Sequence, residues 1–169
     1  MPIFVDHQLQ EQIPRNIFDF PIAFYCDELA DLPNRAGPMH WHPCFEIATA
    51  QNGVLDYQVG QTHTILEPGD SIFVNQNMLH GIRQVSGMEP DHLPIIIFSG
   101  TVIASENSVI YQKYIQPILS CDSLPCVVFR HDSGLWKDVR QRINATYRAM
   151  REQSDCYELV VQRNICHVL

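Results

Sequence analysis

The chain has 169 residues, 46% of them hydrophobic, and a formal net charge of −8 from 11 Lys+Arg against 19 Asp+Glu. That is the length of one domain with an ordinary core. No run nears the roughly 18 apolar residues of a membrane span, and the surface is too acidic to bind a phosphate backbone by displacing counterions.

The start, Met1-Pro2-Ile3-Phe4-Val5-Asp6, has no basic region before an apolar stretch, so it is not a secretory leader and a cytoplasmic location is expected. Residues 1–20 read as an N-terminal arm, with Pro2 and Pro14 bracketing a polar stretch. From Ile22 to about Arg130 short apolar runs alternate with turn residues, as in a sandwich or barrel. Strands are expected at Ile22–Cys26, His40–Ala50, Val54–Val59, His63–Leu66, Ser71–Val74, His80–Val85, Leu93–Ser99 and Val127–Phe129. Turns fall at Gln51-Asn52-Gly53, Val59-Gly60-Gln61 and Glu67-Pro68-Gly69-Asp70. A short helix over about 105–120 interrupts the series, and Pro117 should stop or kink it.

After Arg130 the period changes. Leu135, Val139, Ile143 and Tyr147 recur every four residues, with Trp136 and Met150 adjoining, which is the stripe of an amphipathic helix over 133–151. Ser133 is its expected N-cap. A second helix, 156–169, follows Asp155, with Glu158 placed as in a capping box. Basic residues gather in this third of the chain but alternate with acidic ones, as on a solvated helix face. The apolar period runs to Leu169 without a polar tail, so further polypeptide is expected beyond it. The six Cys form no Cys-x-x-Cys pair and read as reduced thiols, not as a disulfide framework.

The residues that carry chemistry lie in 40–80. His40, His42, Cys44 and Glu46 would share one face of an extended strand, and His80 lies downstream. Imidazole nitrogens with a carboxylate suit Fe, Ni, Cu, Mn or Zn, so His40, His42, Glu46 and His80 form a metal-ligand set. Cys44 would face the same space as a small buried residue or a soft ligand. Tyr57, Phe73, Asn75 and Arg83 surround the second segment, and Tyr57 and Phe73 are expected as aromatic walls for a small ligand. Arg83 has the opposite strand parity to His80, which argues against both pointing inward.

His40-x-His42-x3-Glu46-x6-Gly53 resembles the first cupin motif, and Gly69-x5-Asn75-x-Asn77-x2-His80-x3-Gln84 resembles the second in spacing. The second departs at Asn75, Asn77 and Gln84, which stand where the motif has Pro, Gly and Asn. Asn77 is a tolerable replacement for Gly because Asn adopts left-handed backbone angles readily. A narrower resemblance runs through His40-Trp41-His42, Glu46-Ile47, Gly53-Val54-Leu55-Asp56-Tyr57, Leu66-Glu67-Pro68-Gly69-Asp70, Ile72-Phe73-Val74-Asn75 and Leu79-His80. It is similar to the N-terminal sensor domain of AraC-type transcriptional regulators. The resemblance implies a mainly β fold, a cupin-type jelly-roll barrel at 21–130 followed by an antiparallel helix pair at 131–169 that forms a homodimer. It implies a small-molecule effector in the barrel, contacted by His40, His42, Cys44, Glu46, Tyr57, Phe73 and His80, or a divalent transition metal (Zn, Ni, Fe or Mn) on His40, His42, Glu46 and His80, with no organic cofactor. DNA would be bound only by a downstream helix-turn-helix domain absent from this chain. The resulting expectation is a sensor and not an enzyme; the alternative is a stand-alone metal-dependent cupin enzyme, a dioxygenase or isomerase.

Overall fold

A computed structural model describes residues 3–13, 20–87 and 92–169, the side chain of Asp27 excepted. Pro2, Pro14 and the rest of the expected arm outside 3–13 and Phe20 lie beyond the described residues. Among the described residues nine strands form two antiparallel sheets: β1 (Ile22–Glu28), β2 (Ala36–His40), β3 (Phe45–Thr49), β4 (Gly53–Val59), β5 (Thr62–Leu66), β6 (Ser71–Val74), β7 (His80–Gly87), β8 (His92–Phe98) and β9 (Cys126–Phe129). One sheet has the order β1-β8-β3-β6-β9, the other β2-β7-β4-β5. Neighbours in sequence are mostly not neighbours in a sheet, so the chain crosses repeatedly between the two. This is the jelly-roll arrangement expected of a cupin-type barrel.

Strand periodicity divides the core into two layers. On β3, Ala48 faces the space between the sheets together with Leu55, Tyr57, Leu66, Ile72, Val74 and Ile82. Phe45 and Ile47, one residue out of phase, face the other way with Phe73, Ile96 and Phe98. Helices α2 (Lys137–Glu152) and α3 (Tyr157–Val168) cover that outer side with Ile143, Tyr147, Met150, Val161 and Ile165. Every residue of β3 and β6 is therefore buried. The sheet β2-β7-β4-β5 keeps solvent on its outer face, and β5 is largely exposed. A polar tie joins helix to sheet: the Tyr147 hydroxyl lies 2.9 Å from Thr49 Oγ1, itself 2.7 Å from Ser71 Oγ.

Four local expectations are corrected. The single strand expected over His40–Ala50 is two strands in different sheets, because β2 ends at His40 and β3 begins at Phe45. Pro43 has no N–H for a ladder and a fixed φ, which suits the crossing. The helix expected over about 105–120 is shorter and irregular: a π turn, Tyr111–Ile115, leads into α1, Gln116–Leu119. Pro117 offers no amide to continue the ladder, and just before it the Gln116 N–H reaches back five residues to Tyr111 O.

Ser133 makes no side-chain cap; it precedes a 3-10 turn, Gly134–Trp136. That tighter turn puts Leu135 out of phase with the apolar stripe and leaves it 76% exposed. The capping box expected at Glu158 is likewise absent, since Cys156 precedes α3 with φ +62° and no side-chain bond. No helix among the described residues is long and apolar enough to cross a membrane.

Candidate metal centre

The crossing at 41–44 builds the site. His40 ends β2 opposite His80, the first residue of β7, in direct register. His42 follows in the crossing and Glu46 is the second residue of β3, on its inward face. Their exposures are 6% for His40, 1% for His42, 3% for Glu46 and 1% for His80. One ligand atom from each lies within 4.8 Å of all the others. The residues thus come from both sheets and meet only when the barrel closes.

Backbone carbonyls orient all three imidazoles. Nδ1 of His40 lies 2.8 Å from Pro38 O, Nδ1 of His42 3.1 Å from Cys44 O, and Nδ1 of His80 2.7 Å from Met78 O. A carbonyl only accepts, so each Nδ1 carries a proton and each ring turns its Nε2 to the inside of the cluster. This outer anchoring is what a metal-binding histidine needs. Asn77 helps to set it: with φ +58°, it donates its N–H to His42 O at 2.9 Å.

Glu46 sits between the rings. Its Oε2 lies 3.2 Å from His42 Nε2 and 3.3 Å from His80 Nε2. The second approach is not aligned as a hydrogen bond, and among the described residues His80 Nε2 is buried without a hydrogen-bond partner. Oε1 accepts from the Tyr57 hydroxyl. Three ring Nε2 atoms and a carboxylate therefore converge on one point, where a cation could take the place of the proton shared between His42 and Glu46. The four residues fit a divalent transition metal on this ground.

Electrostatics follow from burial and from this convergence. Burial, and then the neighbouring His80, lower His40 to about 4, so it is neutral at ordinary pH. Burial pushes Glu46 up, but His80 and His42 more than reverse this and hold it well below the usual carboxylate range. Burial works to lower His80, and Glu46 outweighs it, leaving His80 raised. Burial and then Glu46 push Tyr57 well up, keeping its hydroxyl protonated as the donor.

Two expected pocket residues lie elsewhere. Cys44 is half-buried and outside the cluster; its carbonyl, not its thiol, serves the site. Burial and then Glu11 push that thiol up to about 11, which leaves little thiolate at neutral pH. Phe73 is in the outer layer against the helices, because β6 turns Ile72 and Val74 inward instead. Tyr57 is brought to the cluster. Arg83 points to solvent and pairs with Asp56 at 3.1 Å, as its parity implies. Asn75 donates to Ile118 O and Leu124 O, tying the α1 region to the barrel. Sequence reasoning missed Glu11, whose Oε2 lies 3.9 Å from His40 Nε2. Nothing in its local pattern marks it, because only the fold brings the N-terminal segment to this end. A groove of about 400 Å³ lined by Phe24, Cys26, Pro94, Tyr147, Arg148 and Arg151 lies on the helix side of the sheet, away from the cluster.

Residues 30–90 match the Cupin domain family model. No curated protein sequence matches the chain. Among solved structures, ToxT from Vibrio cholerae O395, bound to (E)-4-(8-methylnaphthalen-1-yl)but-3-enoic acid, is similar at 8% identity and TM-score 0.60, over 88% of this chain and 54% of ToxT. A second ToxT structure from Vibrio cholerae gives 10% identity and TM-score 0.57, over 87% and 54%. An RmlC-like cupin from Shewanella frigidimarina is similar at 19% identity and TM-score 0.39, over 47% of this chain and 68% of that one. The chain spans about half the length of ToxT. The family match over residues 30–90 and the structural likeness over 88% of the chain agree on a cupin-like barrel, here followed by C-terminal helices.

Proposed function

We propose that this chain is the ligand-sensing and dimerisation part of an AraC-type transcriptional regulator, with a small effector or a divalent transition metal bound in the barrel at His40, His42, Glu46 and His80. The observation that carries this reading is the sealed character of the site: none of the four residues is more than 6% exposed. Glu11, from the N-terminal segment, lies beside it. A site closed in this way suits binding that is read out as a change in the protein around it. Similarity to ToxT over 88% of the chain supports the same reading. In this reading residues 1–20 are the arm, 21–130 the effector barrel and 131–169 the dimer helices, in the cytoplasm, with DNA held by a further domain. The stripe of α2 and α3 is largely spent against the sheet, so a homodimer would use the outer side of α3, where Leu159 is 66% and Val160 36% exposed.

Two experiments test the proposal. Thermal unfolding is measured against Zn, Ni, Fe and Mn ions and a panel of sugars, aromatic acids and amines; binding at a hundredfold excess over Kd adds about 2.7 kcal/mol. A response to none of them counts against sensing. The gene is also read past the codon for Leu169. A basic, helical continuation with two helix-turn-helix patterns is expected, and a stop codon there would sink the regulator reading.

The second reading is a stand-alone metal-dependent cupin enzyme, a dioxygenase or isomerase. The observation favouring it is the donor set itself, since three imidazoles and one carboxylate leave coordination positions for a substrate. A bound metal would supply Lewis acidity there, while Glu46 and Tyr57 hold the nearby proton. Metal-dependent turnover separates this reading from the first.

A further inference from the structure

A divalent cation among three neutral imidazoles and one carboxylate keeps one uncompensated positive charge. An unpaired charge in so buried a place is costly. The structure sets a second carboxylate beside the site. Glu11 Oε2 is 3.9 Å from His40 Nε2, on a side chain only 10% exposed. At that distance and burial the carboxylate is turned to the cluster and not to solvent.

The segment bearing Glu11 is docked by its backbone. Glu11 N–H donates to Trp41 O at 2.9 Å, and Trp41 N–H donates to Leu9 O at 3.0 Å. The indole Nε1 of Trp41 donates to Gln8 O at 3.0 Å. The Asp6 carboxylate folds the segment on itself, accepting from the N–H groups of Gln8 at 2.7 Å and Gln10 at 3.0 Å. The anchor, Trp41, stands between the ligands His40 and His42. Cluster and segment are thus mechanically one unit, with Glu11 at their junction.

We propose that Glu11 is the second carboxylate of the metal centre: it supplies the remaining negative charge for a divalent ion on His40, His42, Glu46 and His80, and metal occupancy thereby fastens residues 3–13 to the barrel mouth. This rests on the metal reading above. Glu11 lies outside the set of four ligand atoms, and it acts as a positioning counter-charge through space. Metal would pull the segment down through Glu11, and the docked segment would tighten the metal by the same coupling.

Wild type and Glu11→Gln are titrated with Zn²⁺ and Ni²⁺ by calorimetry, and hydrogen exchange at the Glu11 and Trp41 amides is followed with and without metal. Gln keeps the shape and removes the charge. Both proteins are expected to bind one ion per chain, the variant about 10- to 100-fold more weakly. Metal is expected to slow exchange at both amides in wild type and to leave it unchanged in the variant. Equal affinities with equal amide protection would overturn the role of Glu11 and leave the four-residue site standing. Absence of metal binding by wild type would overturn both. Glu11→Asp, which keeps the charge, is expected to recover part of the affinity; an Asp variant as weak as Gln would also overturn the proposal. Matching thermal unfolding of the metal-free proteins shows that the variants fold.

Discussion

Phe45 and Glu46 are adjacent on β3 and equally buried, at 0% and 3% exposure, yet they belong to two different kinds of interior. Phe45 enters a dry aromatic layer, with ring centroids 5.3 Å from both Phe73 and Phe98, closed over by α2 and α3. Glu46 enters a polar cluster in which every imidazole is tied to a carbonyl and every Nε2 aims inward. The outer layer stabilises through non-directional apolar burial. The inner cluster gathers charge and lone pairs away from water, an arrangement that burdens the apo fold unless something completes it. Burial alone therefore does not say what a residue is for: on β3 the outward Phe45 joins an apolar layer, while the inward Glu46 joins the histidine cluster.

The sharpest way to break this comparison is to mutate each side. His42→Ala removes one of the four donors, and loss of stoichiometric transition-metal binding is expected by elemental analysis; equal metal content in wild type and variant would end the metal reading. Phe45→Ala is expected to cost about 3–5 kcal/mol in denaturant unfolding while metal binding survives at low temperature. If Phe45→Ala instead removed the metal with little change in stability, the division between the faces would be wrong.

A smaller effect is expected at Asp70, which ties the turn before β6 to the end of β9. Its carboxylate accepts from the Glu67 N–H at 3.0 Å, the His131 N–H at 2.7 Å and Arg130 Nη1 at 2.8 Å. Burial raises its pKa, but these donors outweigh burial and hold it below 3.8. A depressed carboxyl pKa means that the stabilisation is fully present above the unfolded value and is lost as pH falls through the folded value. Asp70→Asn is expected to cost about 1–3 kcal/mol at neutral pH and to flatten the loss of stability below about pH 4. An unchanged acid profile would show that the carboxylate is not the acid-sensitive tie. The smallest effect is expected at Arg83→Ala. Arg83 is 64% exposed in its pair with Asp56, so stability should move by no more than about 0.5 kcal/mol; a larger change by chemical denaturation would mark the open sheet face as more than surface.

The strands β4 to β8 were legible because period-2 patterns and turn residues mark them locally. Gly60 and Gly69, with φ of +58° and +92°, sit in turns that the sequence placed. Asn77 adopts the left-handed conformation that its place in the motif demanded. The site was legible as residue types at known spacing, and less so as geometry. The shared strand face drawn for His40, His42, Cys44 and Glu46 ignored the crossing at Pro43, so Cys44 was drawn into a cluster that it only supports through its carbonyl. Phe73 was assigned to the pocket because the sheet is buried on both faces, which erases the alternation that tells inside from outside.

Local chemistry in the chain determined the strands, their turns, the amphipathic character of α2 and α3 and the identity of the four converging side chains, because each depends on neighbours within a few residues. Tertiary structure alone decided which face each strand turns inward, that His40 and Glu46 belong to different sheets and that Glu11 stands beside His40. Those depend on which distant segments pack together, and two residues far apart in sequence carry no local mark of the contact they will make.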